Sequence, residues 1–402
     1  MKRIGRFIKR RWPLFAMLLI AIVLLVGFGI YRLVTPRTPS EFYALPDVIP
    51  QGAADQPGTI IRTEEITQNL PKNARGWRIM YSSVGLDGQP IAVSGVVAAP
   101  IEASDTPRPV LAFAQGTIGN MPECAISHTP NPFSGIPEID TFIEEGYIVV
   151  ATDYPGRGTE GIHPYLIAQI AADSVLDSVR AVENMDLNAS NQFVVWGRSQ
   201  GGHTSLWTAI AASDYAPELE LVAAAASAPA IDLEGILKNG MNTYTGSIVI
   251  TFAISAWSNY FDDINLDELI RPELRDKFDE LARTCLTTPA ALLLQGKLPT
   301  PEEYLTQDIF ANDAMTALLE ENTPAGPINV PLLITHGTAD TLIPIDGSIG
   351  AYEQRCADGE DVQLVRMPDI EHDAADQSAL YTIGWFNDRL AGRPSSSNCP
   401  EQ

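Results

Sequence analysis

At 402 residues with 45% hydrophobic content, the chain can bury a large core, and its length admits one big domain or two ordinary ones. The net charge of −24 conceals an asymmetry: residues 1–37 carry eight Lys or Arg and no acid, which leaves 18 basic against 50 acidic residues, a net −32, in the remainder. A body this acidic makes a poor partner for nucleic acid, because it repels the phosphate backbone.

Lys2, Arg3, Arg6, Lys9, Arg10 and Arg11 precede an uncharged run of 20 residues from Trp12 to Tyr31. As a helix that run spans a hydrocarbon core of about 30 Å, so residues 1–34 read as a basic terminus plus a transmembrane or signal segment. Basic residues cluster on its amino-terminal side only, which places that terminus in the cytoplasm and the body outside. The run exceeds the usual signal core of about 7–15 residues, which favours an uncleaved membrane anchor. Cleavage at the small-x-small site Gly27-Phe28-Gly29 is the alternative and gives a secreted body. No cysteine precedes Cys124, so a lipid-modified cysteine near the amino terminus is excluded. Residues 35–57 are proline-rich and lack apolar periodicity, and read as a linker running into an extended stretch.

Residues 91–98 alternate around Gly95 and residues 109–114 form a short apolar run, the expected first core strands. A third, 147–151, stops at the turn Asp153-Tyr154-Pro155-Gly156-Arg157-Gly158. Helical spacing of Ile167, Ile170, Val175, Val179 and Val182 predicts a helix within 164–185. The strand 193–196 then opens into Gly197-Arg198-Ser199-Gln200-Gly201, followed by a helical pattern over 202–212. Further strand patterns occupy 221–226, 331–336 and 362–367. Between 231 and 327 the rhythm breaks into helical patterns, such as 266–281 and 306–319, and an insertion of that length is not a loop. The expectation is an α/β-hydrolase fold, a mostly parallel sheet flanked by helices, with core segments 58–230 and 328–402 and a helical cap or lid at 231–327.

A Gly-x-Ser-x-Gly turn between strand and helix presents its serine at the top of the sheet, where only glycines leave room around it. Ser199 is the candidate nucleophile. Asp340 follows the strand 331–336 and His372 follows the strand 362–367, so acid and histidine sit at the ends of successive strands in the chain order Ser, Asp, His. His203 lies one helical turn from Ser199 and points beside it, which favours packing. Asp369 and Asp373 are too close to His372 in sequence to match a separate strand end, which favours Asp340 as the acid. Asp153 and Tyr154 are expected to shape the turn near the pocket. The oxyanion donors are expected to be the backbone N–H groups of Thr117 and Gln200. With a neutral imidazole as base, ester turnover is expected to fall below roughly pH 6.5.

Gly197-Arg198-Ser199-Gln200-Gly201-Gly202 with Tyr215-Ala216-Pro217-Glu218-Leu219 resembles the secretory lipase family, the lipase A-like branch of α/β-hydrolases. The segments Ala114-Gln115-Gly116-Thr117-Ile118-Gly119, Glu123-Cys124-Ala125, Thr152 to Gly158 and His336 to Pro344 agree with it. Gln115 departs from the pattern, since a histidine more often precedes the oxyanion glycine. The resemblance runs from about Phe42 to Leu390 and implies a serine carboxylic-ester hydrolase with a helical lid, no metal or cofactor, and a lipid-like acyl-ester substrate outside the membrane. An envelope acyltransferase on the same scaffold and a non-catalytic acyl-chain-binding module are the alternatives, and a peptidase is disfavoured because no propeller-type domain precedes the core. The four cysteines, Cys124, Cys285, Cys356 and Cys399, all lie in the exported part. An even count in an oxidising compartment favours two disulfides with three pairings open, and buried free thiols are the other reading.

Overall fold

The computed structural model describes residues 41–45, 56–288 and 298–400. The expected membrane or signal segment lies outside them, and among the described residues no helix is long and apolar enough to cross a membrane. Of the expected linker, residues 41–45 are described and hold a 3-10 turn, Glu41–Tyr43. Phe42 and Tyr43 pack on Met80 and Ala92, and Tyr43 OH donates to Ser127 Oγ at 3.0 Å. This piece is docked on the body.

Nine strands form one sheet: β1 (Ile60–Ile66), β2 (Ala74–Val84), β3 (Pro90–Pro100), β4 (Arg108–Ala114), β5 (Ile148–Thr152), β6 (Ala189–Arg198), β7 (Glu220–Ser227), β8 (Leu332–Gly337) and β9 (Val362–Met367). Their order is β1-β2-β3-β5-β4-β6-β7-β8-β9. The first three strands join antiparallel up to β5, and β5 through β9 run parallel. Strands β1 and β2 add to the expected set. The helices are α1 (Ile139–Glu144), α2 (Ala168–Glu183), α3 (Gln200–Tyr215), α4 (Leu233–Gly240), α5 (Tyr244–Tyr260), α6 (Leu266–Leu269), α7 (Arg275–Ala282), α8 (Pro301–Tyr304), α9 (Asp313–Glu321), α10 (Ile345–Ala357) and α11 (Ala374–Leu390). One face of the sheet buries Val175 and Val179 of α2, Leu206 of α3 and Tyr352 of α10. The other buries Phe142 of α1 and Ile383 and Phe386 of α11. The parallel strands are apolar on both sides because both faces are covered.

Helices α4 to α9 lie between β7 and β8 and share a separate apolar cluster, in which Leu233, Phe252, Phe278 and Met315 meet Tyr165 and Leu166 of the core. The helical pattern expected over 266–281 is split into α6 and α7, because Pro272 cannot continue a helix and opens a 3-10 turn instead. Asn312 caps α9 by accepting the Met315 N–H at 3.0 Å, so that helix starts later than the pattern from 306 implies. The cysteines pair as Cys124–Cys285 and Cys356–Cys399. The first bond ties the loop after β4 to the segment that follows α7, and the second ties α10 to the carboxyl-terminal segment.

One buried acid carries a pH signature. Asp173 on α2 is 5% exposed, and burial, with Asp177 one turn away, raises its pKa to about 7 while Arg180 opposes the shift. The folded protein therefore holds this proton more tightly than the unfolded chain. The stability it contributes is complete below about pH 4, is lost as pH climbs toward 7, and leaves a buried carboxylate above that. Asp173→Asn is expected to raise Tm by about 2 °C or more at pH 8, with the gain shrinking toward pH 5. Thermal melts at pH 5, 6.5 and 8 check this, and a gain that is equal at all three contradicts it.

Candidate active site

The parallel register aligns the strand ends from which the candidate residues emerge. Ala114 of β4 pairs with Gly197 of β6, Gly197 and Arg198 pair with Ala226 and Ser227 of β7, Ser227 pairs with Thr335 of β8, and Gly337 pairs with Met367 of β9. The loops carrying Thr117, Ser199, Asp340 and His372 thus leave the same edge of the sheet, where open α/β sheets place their ligands.

Ser199 has φ +56° and ψ −121°, a conformation L-residues seldom adopt. The turn is too tight for side chains on either side. A Cβ on Gly197 would lie 2.3 Å from the Gly201 carbonyl oxygen, and one on Gly201 would lie 2.0 Å from that of Ala114. The Ser199 N–H is anchored to Ser227 O at 3.0 Å. This is the elbow expected from the motif, with its serine at the start of α3.

The loops after β8 and β9 are laced together. Thr338 N–H donates to Met367 O at 2.9 Å and Ala339 N–H to Ile370 O at 3.0 Å. That lacing sets His372 Nδ1 2.7 Å from Asp340 Oδ2. Oδ1 of Asp340 accepts the backbone N–H groups of Leu342 and Ile343 at 3.0 and 2.9 Å. A second imidazole, His336, approaches Oδ2 at 3.4 Å; its Nε2 also contacts Ile343 O at 2.9 Å, so Nε2 carries the proton and Nδ1 accepts from Ser348 Oγ at 2.8 Å. Burial pushes the Asp340 pKa up, but the hydrogen bonds from His336, His372 and the Ile343 N–H outweigh it and hold the carboxyl below the usual range. Its ionised oxygen accepts the His372 Nδ1–H and leaves Nε2 with a free lone pair.

Ser199 and His372 line one cavity of about 310 Å³ together with Thr117 and Gln200. Ser199 Oγ and His372 form no direct hydrogen bond here. The backbone N–H groups of Thr117 and Gln200 donate to no protein acceptor among the described residues; for Gln200 this follows from its place in the first turn of α3. Thr117 Oγ1 and Tyr165 OH are hydrogen-bonded at 2.9 Å, which steadies the loop after β4. The insertion contributes apolar wall, including Ile236, Ile248, Val249 and Leu286.

The competing residues take no part in the His372–Asp340 contact, although Asp373 also lines the cavity. His203 is buried and contacts Asn322 O at 2.7 Å, and burial pulls its pKa down to about 4. Neither Asp369 nor Asp373 hydrogen-bonds to His372. Asp153 accepts Ser94 Oγ at 2.6 Å and the Ser127 N–H at 3.1 Å, and Tyr154 OH donates to Gln115 O at 3.1 Å, so both brace the turn beside the cavity. His336 and Tyr165 are the site residues that sequence reasoning missed. The first reads only as the end of a strand, and the second as one apolar position before a helix. No group of three or more His, Cys, Asp or Glu side chains among the described residues is disposed to hold a metal ion.

The comparisons with known proteins agree with this architecture. Lipase 6 of Candida albicans is 25% identical over 90% of this chain and 84% of its own length. A probable inactive lipase of Mycobacterium tuberculosis is 26% identical over 90% of this chain and 85% of its own length. The closed state of Candida antarctica lipase A superposes with a TM-score of 0.77 at 17% identity, over 91% of this chain and 89% of that one, a likeness of fold. The model of the secretory lipase family matches residues 137–398, and the chain therefore belongs to that family of carboxylic ester hydrolases.

Proposed function

We propose that this protein hydrolyses acyl esters through a Ser199-His372-Asp340 triad and an acyl-enzyme. Ser199 Oγ attacks the ester carbonyl, His372 Nε2 takes its proton and returns it to the leaving alcohol, and Asp340 holds the imidazole tautomer and stabilises the imidazolium. The N–H groups of Thr117 and Gln200 receive the tetrahedral oxygen. The observation that carries this reading is the 2.7 Å His372–Asp340 contact beside a cavity that also holds a serine on a strained turn. Rotation of the Ser199 side chain or the imidazole closes the remaining gap when substrate binds, since apo geometry is commonly loose.

The insertion at 231–327 acts as the lid and supplies the acyl pocket. The uncharged run 12–31 anchors the body outside the cytoplasm, and cleavage near Gly29 releases the same body as a secreted enzyme. The substrate is an acyl ester of limited size. The cavity of about 310 Å³ and its apolar wall suit a medium-length acyl chain.

For p-nitrophenyl esters, kcat/KM is expected to rise by about fourfold per methylene, from ~0.8 kcal/mol each, up to octanoate or decanoate, and to fall for palmitate. A fluorophosphonate probe is expected to label Ser199. One relative's description as a probable inactive lipase favours a second reading, an acyl-binding module without turnover. Folded protein that takes up fatty ester but neither labels nor releases p-nitrophenol decides for that module.

A further inference from the structure

Arg157 is wholly buried, yet no carboxylate pairs with it among the described residues. Asp153, four residues earlier and equally buried, is engaged by Ser94 and Ser127. Burial lowers the arginine's pKa to about 10, which leaves it charged at neutral pH. Taking a guanidinium out of water is costly, and Asp153 offsets that cost only from beyond ion-pair distance, so the contacts it makes identify its use. Nε donates to Gly119 O at 2.7 Å and Nη2 donates to Gln200 Oε1 at 3.3 Å. Its guanidinium carbon sits 5.5 Å from the centre of the Tyr154 ring. Nη1 has no partner among the described residues.

Those two acceptors belong to different parts of the site. Gly119 lies in the loop after β4, two residues beyond Thr117, and Gln200 is the first residue of α3. The far end of the Gln200 side chain is held as well, because its Nε2 donates to His163 Nε2 at 2.6 Å. A rigid planar fork bridging these segments fixes their separation, and it brings positive charge to the two segments whose residues Thr117 and Gln200 line the cavity. We propose that Arg157 is a positioning residue that sets the spacing of the two oxyanion-donor segments, through Gly119 on one side and Gln200 on the other. The inference rests on the triad reading above.

The test uses the full chain carrying Arg157→Met, Gln200→Met, or both, with a p-nitrophenyl ester as substrate and a reversible alkyl boronic acid as tetrahedral analogue. Misplacing one oxyanion donor costs about 100-fold in rate. Arg157→Met is therefore expected to lower kcat by about 100-fold with KM within about twofold, and to weaken the boronic acid by a similar factor. Gln200→Met keeps its backbone N–H but loses the link, so it is expected to show the same pattern. The double variant is expected to lose little more, since both changes break one bridge. Titration of active sites with the fluorophosphonate separates the outcomes. Unchanged kcat in folded Arg157→Met overturns the inference, as does a loss proportional to fewer competent sites, which marks a merely structural brace. If Arg157→Met fails to fold, Gln200→Met decides in the same terms. Absence of labelling at Ser199 in the unmodified protein defeats the triad reading itself.

Discussion

Replacing Ser199 by Ala is expected to lower kcat for ester hydrolysis by about 10⁶-fold, the scale seen when a triad serine is removed, with the fold intact. Alanine keeps the Cβ, so the strained φ of +56° and the close approach of Gly197 and Gly201 to their neighbours are unchanged. Only the hydroxyl disappears. The Thr117 and Gln200 amides and the apolar cavity remain, and substrate affinity is expected to hold within a few-fold. Fluorophosphonate labelling is expected to vanish with activity. Steady-state rates, thermal melts and labelling of the same preparations check this, and a folded variant retaining a hundredth of the activity contradicts the assignment.

Asp340→Asn is expected to lower kcat by about 10⁴-fold. The carboxylate accepts four contacts, two from backbone N–H groups on Oδ1 and those of His372 and His336 on Oδ2. An amide has one accepting oxygen. If that oxygen stays with Leu342 and Ile343, its NH₂ faces His372 Nδ1, and the imidazole must move its proton to Nε2. That tautomer cannot take a proton from Ser199. The variant should also be less stable at neutral pH, because a depressed pKa contributes stability above the unfolded value near 3.9 and loses it as pH falls toward the folded one. Melts from pH 8 to 3 are expected to show a Tm gap that narrows below about pH 4. Full activity in Asp340→Asn gives the acid role to another residue.

Much of this site was legible from local pattern. The elbow announces itself because the physical demand is local: the approach of Gly201 to Ala114 O and of Gly197 to Gly201 O leaves no room for a side chain. The placing of Asp340 and His372 was legible because a parallel strand reads as an apolar run, and each of the two follows such a run. Strands β1 and β2 were harder to see. In β1 the exposed run Thr63-Glu64-Glu65 interrupts the apolar signal at the sheet's edge, so neither periodicity nor hydrophobicity marks it. The helix pattern over 266–281 was read through Pro272, where the proline's constraint prevails over spacing.

Sequence by itself determined the fold class, the family, the Gly-x-Ser-x-Gly turn and the strand ends at which Asp340 and His372 sit, because each is written in neighbouring residues whose sterics and polarity act at short range. Only the tertiary structure decided that Cys124 pairs with Cys285 and Cys356 with Cys399. It likewise decided that a second imidazole from His336 supports Asp340, and that a buried Arg157 reaches both Gly119 and Gln200. The disulfides and the Arg157 bridge join segments remote along the chain, and the His336 contact depends on how the turn after β8 folds back on itself, so none of them is encoded in a local pattern.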